Sequence, residues 1–130
     1  MKTIVAIYGK NIEEIKKELE LIENRNISIL ELRADYLEDN STSFIKEIIA
    51  FLRENTEYEL MLTLRSKREG GKFSGLDYAD KILMYLTLDI DYIDIQMNEL
   101  SDQTLAELIE FKKSTNIKVV FSVHDIARPM

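Results

Sequence analysis

The segment Ile27-Ser28-Ile29-Leu30-Glu31-Leu32-Arg33-Ala34-Asp35 decides how the chain is to be read. Its apolar first part has the composition of a buried β-strand. Glu31 and Arg33, two residues apart, then project from the same face of that strand. An opposite-charge pair at the end of a buried strand is costly unless the charges pair or bind something. On spacing alone two readings stand side by side: a structural salt bridge at the sheet edge, and a pair that grips a ligand.

Outward from this segment, two kinds of sequence alternate. Short apolar runs recur at Thr3 to Tyr8, Leu60 to Leu64, Tyr92 to Gln96 and Lys118 to Ser122, each suited to a buried strand. Between the runs lie segments of helical period. The first follows Asn11, an N-cap residue with Glu14 three positions on, and carries Ile12, Ile15, Leu19 and Ile22 on one stripe. The second follows Ser41-Thr42-Ser43 and buries Phe44, Ile45, Ile48, Ile49 and Leu52. The third runs from about Leu76 to Leu88 through Ala79, Ile82, Leu83 and Leu86. The fourth starts near Ser101 and uses Leu105, Leu108 and Ile109. The order β-α-β-α-β-α-β-α-β predicts parallel strands with helical crossovers. Gly9, Gly70, Gly71, Gly75 and Pro129 all fall between elements or at the chain end.

The composition is that of a globular protein: 130 residues, 45% hydrophobic and 32% charged, enough for a single domain over residues 1–130. The net charge of −7 comes without a concentrated basic face, which argues against nucleic acid as partner. There is no cysteine, so no disulfide framework and no thiolate metal site. Met1 to Tyr8 is too short an apolar run for a signal peptide, and no run approaches the ~20 apolar residues of a membrane span. A cytoplasmic protein that does not enter a membrane is expected.

Two architectures fit the alternation. One is a five-stranded doubly wound sheet, of natural size for this length. The other is part of a (β/α)8 barrel, which normally takes about 250 residues. In either, the site lies at the C-terminal ends of the strands. Those ends hold Tyr8-Gly9-Lys10, Glu31 to Asp35, Arg65 to Gly71, Asp94-Ile95-Gln96 and Ser122-Val123-His124-Asp125, so titratable groups gather at one edge of the predicted sheet. Gly70-Gly71 marks either a tight turn or a close approach of backbone to a ligand. His124 is the only histidine, and its unperturbed pKa of ~6.5 suits proton transfer near neutrality. A lone histidine is more often structural, but its place at a strand end beside Asp125 favours chemistry. One histidine with scattered carboxylates lacks the close ligand spacing of a metal site, so neither metal nor cofactor is expected.

Taken together, the motifs resemble one family. Glu31-Leu32-Arg33-Ala34-Asp35 is similar to the E-x-R-x-D strand of type I 3-dehydroquinate dehydratases. Thr63-Leu64-Arg65 followed by Glu69-Gly70-Gly71 resembles their T-x-R-x-x-x-E-G-G segment. Tyr92-Ile93-Asp94-Ile95 matches the I-D-[IL]-E strand in part, with Gln96 where the family usually has glutamate. Ser122-Val123-His124-Asp125 resembles the strand end that carries the catalytic histidine.

The resemblance implies a partial (β/α)8 barrel of about five strands and four helices. It also implies a lyase of the shikimate pathway of chorismate and aromatic amino acid biosynthesis. In the family's reaction a lysine amine forms an imine with 3-dehydroquinate, a histidine removes a neighbouring proton, and a hydroxyl leaves as water to give 3-dehydroshikimate. By the resemblance His124 is the general base and acid, Glu69 orients its ring, and Glu31, Arg33 and Arg65 grip the small-molecule substrate. The family's imine-forming lysine lies on the strand after the histidine's, and the present residues end at Met130. The expectation is therefore the N-terminal portion of the barrel, truncated before the covalent half of the site and inactive alone. Lys10, Lys67 and Lys72 read as solvated loop charges, not substitutes. The alternative is an inactive half-barrel that binds a metabolite or associates with its own kind through open sheet edges. A receiver-like signalling domain fits poorly, because Tyr8-Gly9 and Arg65 stand where that family needs acidic groups.

Overall fold

Every strand lies beside its neighbour in the chain. A computed structural model describes residues 3–75 and 77–122. Its strands are β1 (Ile4–Ile7), β2 (Ile29–Arg33), β3 (Glu59–Thr63), β4 (Tyr92–Gln96) and β5 (Lys118–Ser122), and they pair in parallel in the order β1-β2-β3-β4-β5. Between them run α1 (Ile12–Ile22), α2 (Thr42–Asn55), α3 (Tyr78–Tyr85) and α4 (Asp102–Lys112). A doubly wound sheet reverses its strand order at a switch point and carries helices on both faces. Here the order never reverses, and all four helices share one core with one face of the sheet. This is the winding of a barrel, so the second of the two architectures holds.

Alternation along the strands separates the two faces. Ile7, Leu30, Leu32, Leu60, Leu62, Ile93 and Ile95 point toward the helices and meet Ile15, Ile45, Ile48, Leu52, Ile82, Tyr85 and Leu108 in a single buried cluster. Truncating a fully buried leucine such as Leu62 to alanine costs roughly 2–5 kcal/mol at sites of this kind. The opposite face carries a smaller apolar group, Ile29, Met61 and Tyr92, and then polar residues toward the strand ends.

The helices start where their caps place them. Asn11 accepts from the Glu14 N–H at 3.0 Å, Ser41 from Phe44 at 3.3 Å and Ser101 from Thr104 at 3.1 Å. The reciprocal arm of the α1 box is shifted by one residue, since the Glu14 carboxylate accepts from Lys10 N–H instead of Asn11. Helix α3 is shorter than its periodicity predicts. Asp77 offers no side-chain cap, the helix ends at Tyr85, and Leu83, expected on the buried stripe, is 39% exposed. Ile109, expected on the buried stripe of α4, is 42% exposed. Short 3-10 turns follow β2 and β4 directly, at Ala34–Tyr36 and Met97–Glu99, and another, Lys67–Glu69, comes shortly after β3. No helix of the described residues is long and apolar enough to cross a membrane.

Two tyrosines join the layers. The Tyr85 hydroxyl donates to the Asn40 carbonyl at 2.8 Å, and the Tyr78 hydroxyl accepts from the Gln96 N–H at 2.9 Å. Burial, reinforced by nearby carboxylates, pushes both phenols well above the ordinary tyrosine value. The folded state thus keeps protons that the unfolded chain releases at about pH 10, so stability falls as pH rises through that point. Denaturant titrations above and below about pH 10 are expected to show that fall, and a Tyr78→Phe/Tyr85→Phe variant to show a shallower one. Equal slopes in the two proteins would contradict the assignment.

Candidate active site

The site is built from the face without helices. On β2, Ile29, Glu31 and Arg33 share that face; the register sets Glu31 beside Ala6 and Met61, and Arg33 beside Thr63. The Thr63 hydroxyl donates to the Glu31 carboxylate at 2.5 Å. Arg65, two residues past Thr63, reaches Asp94 on β4 at 3.4 Å. Its Nη1 is buried and has no hydrogen-bond partner among the described residues. The polar row therefore stands on the apolar floor of Ile29, Met61 and Tyr92, where charges interact more strongly than in water.

Arg33 does not form its ion pair with Glu31. Its Nε and Nη2 meet the two oxygens of Asp35 at 3.0 and 2.9 Å, and the Asp35 side chain has no exposed surface. The guanidinium also packs against the rings of Tyr8 and Tyr36, at 5.4 and 5.1 Å from their centres. Burial opposes the charge of Arg33, but the hydrogen bonds and charge of Asp35, helped by Glu31 and Tyr8, outweigh it and hold the group above its ordinary value. Tyr8 is itself anchored, because the Glu18 carboxylate accepts from the N–H groups of Tyr8 and Gly9 at 2.8 and 2.6 Å. A Cβ at Gly9 would lie 2.8 Å from the Ile15 nitrogen, so only glycine lets this turn lie against α1.

The stretch from Arg65 to Phe73 is a tight turn that closes on itself. Phe73 N–H donates to Arg65 O at 3.1 Å, Lys67 N–H to Phe73 O at 2.9 Å and Gly71 N–H to Ser66 O at 2.8 Å. Gly70 takes φ 91°, the left-handed region, and a Cβ at Gly71 would fall 2.1 Å from the Arg65 carbonyl oxygen. The close approach at the glycine pair is thus to the turn's own backbone. Glu69, 4% exposed, sits within it. Two buried side chains hold the turn from either side. Gln96 accepts from Ser66 N–H at 3.0 Å and donates to Ser66 Oγ at 3.2 Å, while Asp35 accepts from Lys72 N–H at 3.1 Å.

Of the expected site residues, the structure brings Glu31, Arg33, Arg65 and Glu69 to one end of the sheet; His124 lies outside the described residues. Lys10, Lys67 and Lys72 are exposed. Among the described residues no group of three or more histidine, cysteine, aspartate or glutamate side chains could hold a metal ion. Tyr8, Asp35 and Asp94, placed at the strand ends from sequence but given no role, join the site, and so does Tyr36, which the sequence did not single out. Asp94 had a usable signal, a charge inside the apolar strand Tyr92–Gln96. Two surface grooves of about 570 and 550 Å³ lie between α1 and α2 and between α2 and the segment Thr87 to Asp89 beyond α3, and contain none of these residues.

A singly wound parallel α/β sheet with charged groups at its C-terminal strand ends defines the barrel-enzyme class. The comparisons narrow it. A family model described as type I 3-dehydroquinase matches residues 3–130. The 3-dehydroquinate dehydratase of Bacillus subtilis is 31% identical over 133 residues, covering 98% of this chain and 51% of that protein. That of Clostridium novyi is 30% identical over 130 residues, covering 95% and 51%. Among solved structures, the type I enzyme of Clostridium difficile with covalent modified comenic acid superposes with a TM-score of 0.81 at 29% identity, over 92% of this chain and 49% of that one. The Enterococcus faecalis enzyme gives 0.82 at 26% identity, over 95% and 53%. The chain belongs to the type I 3-dehydroquinase family, and it spans about half the length of the curated relatives it matches.

The amide of Gln96 makes both bonds to Ser66. Gln96→Leu strands the buried Ser66 N–H and is expected to cost about 1–3 kcal/mol. Gln96→Glu keeps both contacts once the Ser66 hydroxyl turns to donate, leaving the penalty of a buried charge. That penalty raises the folded pKa of the new carboxyl, so it is full at neutral pH and fades as pH falls toward about 4.3. Denaturation of both variants against pH checks this; a leucine variant as stable as the parent, or a glutamate penalty that grows in acid, would contradict it.

Proposed function

We propose that the helix-free face is the substrate side of a 3-dehydroquinate dehydratase and carries the proton-transfer part of its site. The observation that carries the reading is the polar row Glu31, Arg33, Arg65 and Glu69 at the strand ends, standing over an apolar floor. Arg33, held by Asp35, and Arg65, with a buried N–H to spare, donate to the hydroxyls of the substrate; Glu31 accepts from them. His124 removes the proton beside the iminium carbon and returns it to the departing hydroxyl, which leaves as water. Glu69 acts through His124 by fixing its ring and tautomer.

The covalent step needs a lysine amine to attack the ketone, lose water and form the protonated imine that acidifies the neighbouring carbon. The residues present offer Lys10, Lys67 and Lys72 near the strand ends. All three are exposed, beyond the strand ends. By the resemblance, the imine-forming lysine belongs to the barrel strand after the one that carries the histidine. A second reading, a metabolite-binding module that pairs with a second copy of itself, draws on one observation: apolar side chains are exposed on both outer strands, Ile4 at 48% on β1 and Phe121 at 45% on β5.

Incubation of the 130-residue chain with 3-dehydroquinate and borohydride, followed by intact-mass measurement, tests the assignment. No reduced adduct and no formation of 3-dehydroshikimate are expected. A stable adduct would show that one of the present lysines serves.

A further inference from the structure

We propose that Asp35 is a positioning residue that fixes the direction of the Arg33 guanidinium and ties it to the turn bearing Glu69. The inference rests on the reading of the helix-free face as the substrate side. Its basis is the number and origin of the donors that converge on one buried carboxylate. Oδ1 takes Arg33 Nε–H at 3.0 Å; Oδ2 takes both Arg33 Nη2–H at 2.9 Å and the Lys72 backbone N–H at 3.1 Å. Arg33 ends β2, whereas Lys72 belongs to the turn after β3. One carboxylate thus bridges two segments, each carrying a residue assigned to the chemistry.

Geometry fixes the direction of Arg33. The side-on grip of Asp35 occupies the edge formed by Nε and Nη2, and the rings of Tyr8 and Tyr36 pack against the group. The N–H groups left over, two on Nη1 and the second on Nη2, point off that edge. An arginine held this way presents them in fixed directions with little rotamer entropy left to lose when a ligand hydroxyl arrives. An ion pair present only for stability has a weaker rationale, because buried pairs are often replaced by apolar side chains without loss. The partner segment is equally stiff, since the turn from Arg65 to Phe73 is closed by its own backbone bonds. A shift of that turn is passed to Arg33 through the shared Oδ2, so substrate grip and Glu69 geometry are set together.

Two measurements on the full chain test the role. In side-chain ¹⁵N spectra, the Arg33 Nε–H of the parent is expected to exchange slowly and to show little internal motion. In Asp35→Asn it becomes mobile, and the amide signals of Lys72 and Glu69 shift. Arg33→Lys, which leaves the Asp35 carboxylate in place, is expected to move the Lys72 amide as well, and it decides the question should Asp35→Asn fail to fold. An unchanged Arg33 signal in Asp35→Asn, or an unmoved Lys72 amide in Arg33→Lys, would overturn the coupling. Titration with 3-dehydroquinate then separates positioning from general support. Asp35→Asn is expected to weaken binding about tenfold, the loss expected for one charged hydrogen bond, and to add nothing once Arg33 is replaced by alanine. An equal loss in both backgrounds would make Asp35 merely structural. Absence of binding by the parent would count against the substrate-side reading, while the Arg33 spectra still decide the role of Asp35.

Discussion

The structure depends on one constraint: each parallel crossover returns its helix to the same face of the sheet. With the strands in chain order, only the face bearing Leu30, Leu62, Ile93 and their neighbours is covered by helices. The alternate residues must then satisfy themselves against one another. They do so in two tiers, an apolar patch of Ile29, Met61 and Tyr92 and a hydrogen-bonded row above it. A two-residue alternation thus becomes a division between a helix-packed apolar face and a face with a polar row. The opposite ends of the strands are stitched for stability: Arg53 reaches Asp91 at 3.1 Å, and Asp91 accepts from Leu60 N–H at 2.8 Å.

The row is held in place by buried polar side chains from neighbouring strands. Asp35 after β2 and Gln96 on β4 grip the turn after β3 from both sides, and that turn carries Glu69. Each anchor sits where removing one partner would leave a buried donor unsatisfied, which is why small changes there are expected to be felt. Residues that touch a substrate are few, and most of the polar side chains around them serve to aim them.

Strands and helices were legible because their periods differ. β4 and β5 begin and end where the apolar runs do, and Asn11, Ser41 and Ser101 mark three helix starts through side-chain chemistry that is local in sequence. Helix α3 was overextended because Leu86 and Leu88 keep the apolar rhythm yet are buried from a turn beyond the helix. The polar partners were harder to read. Spacing put Glu31 and Arg33 on one face, but Asp35 lies in a 3-10 turn where alternation no longer applies, and it captured the arginine. The bonds from Ser66 to Gln96 and from Lys72 to Asp35 span thirty or more residues, and no local pattern announces such a pairing.

The central claim is that ligand chemistry belongs to the helix-free face and not to the grooves between helices. Amide shift mapping of the chain during titration with 3-dehydroquinate tests it directly. Changes centred on Glu31, Arg33, Arg65 and the turn through Glu69 are the predicted result. Changes centred on Lys16, Phe51 and Tyr58 in the α1–α2 groove, with the strand ends unmoved, would contradict it.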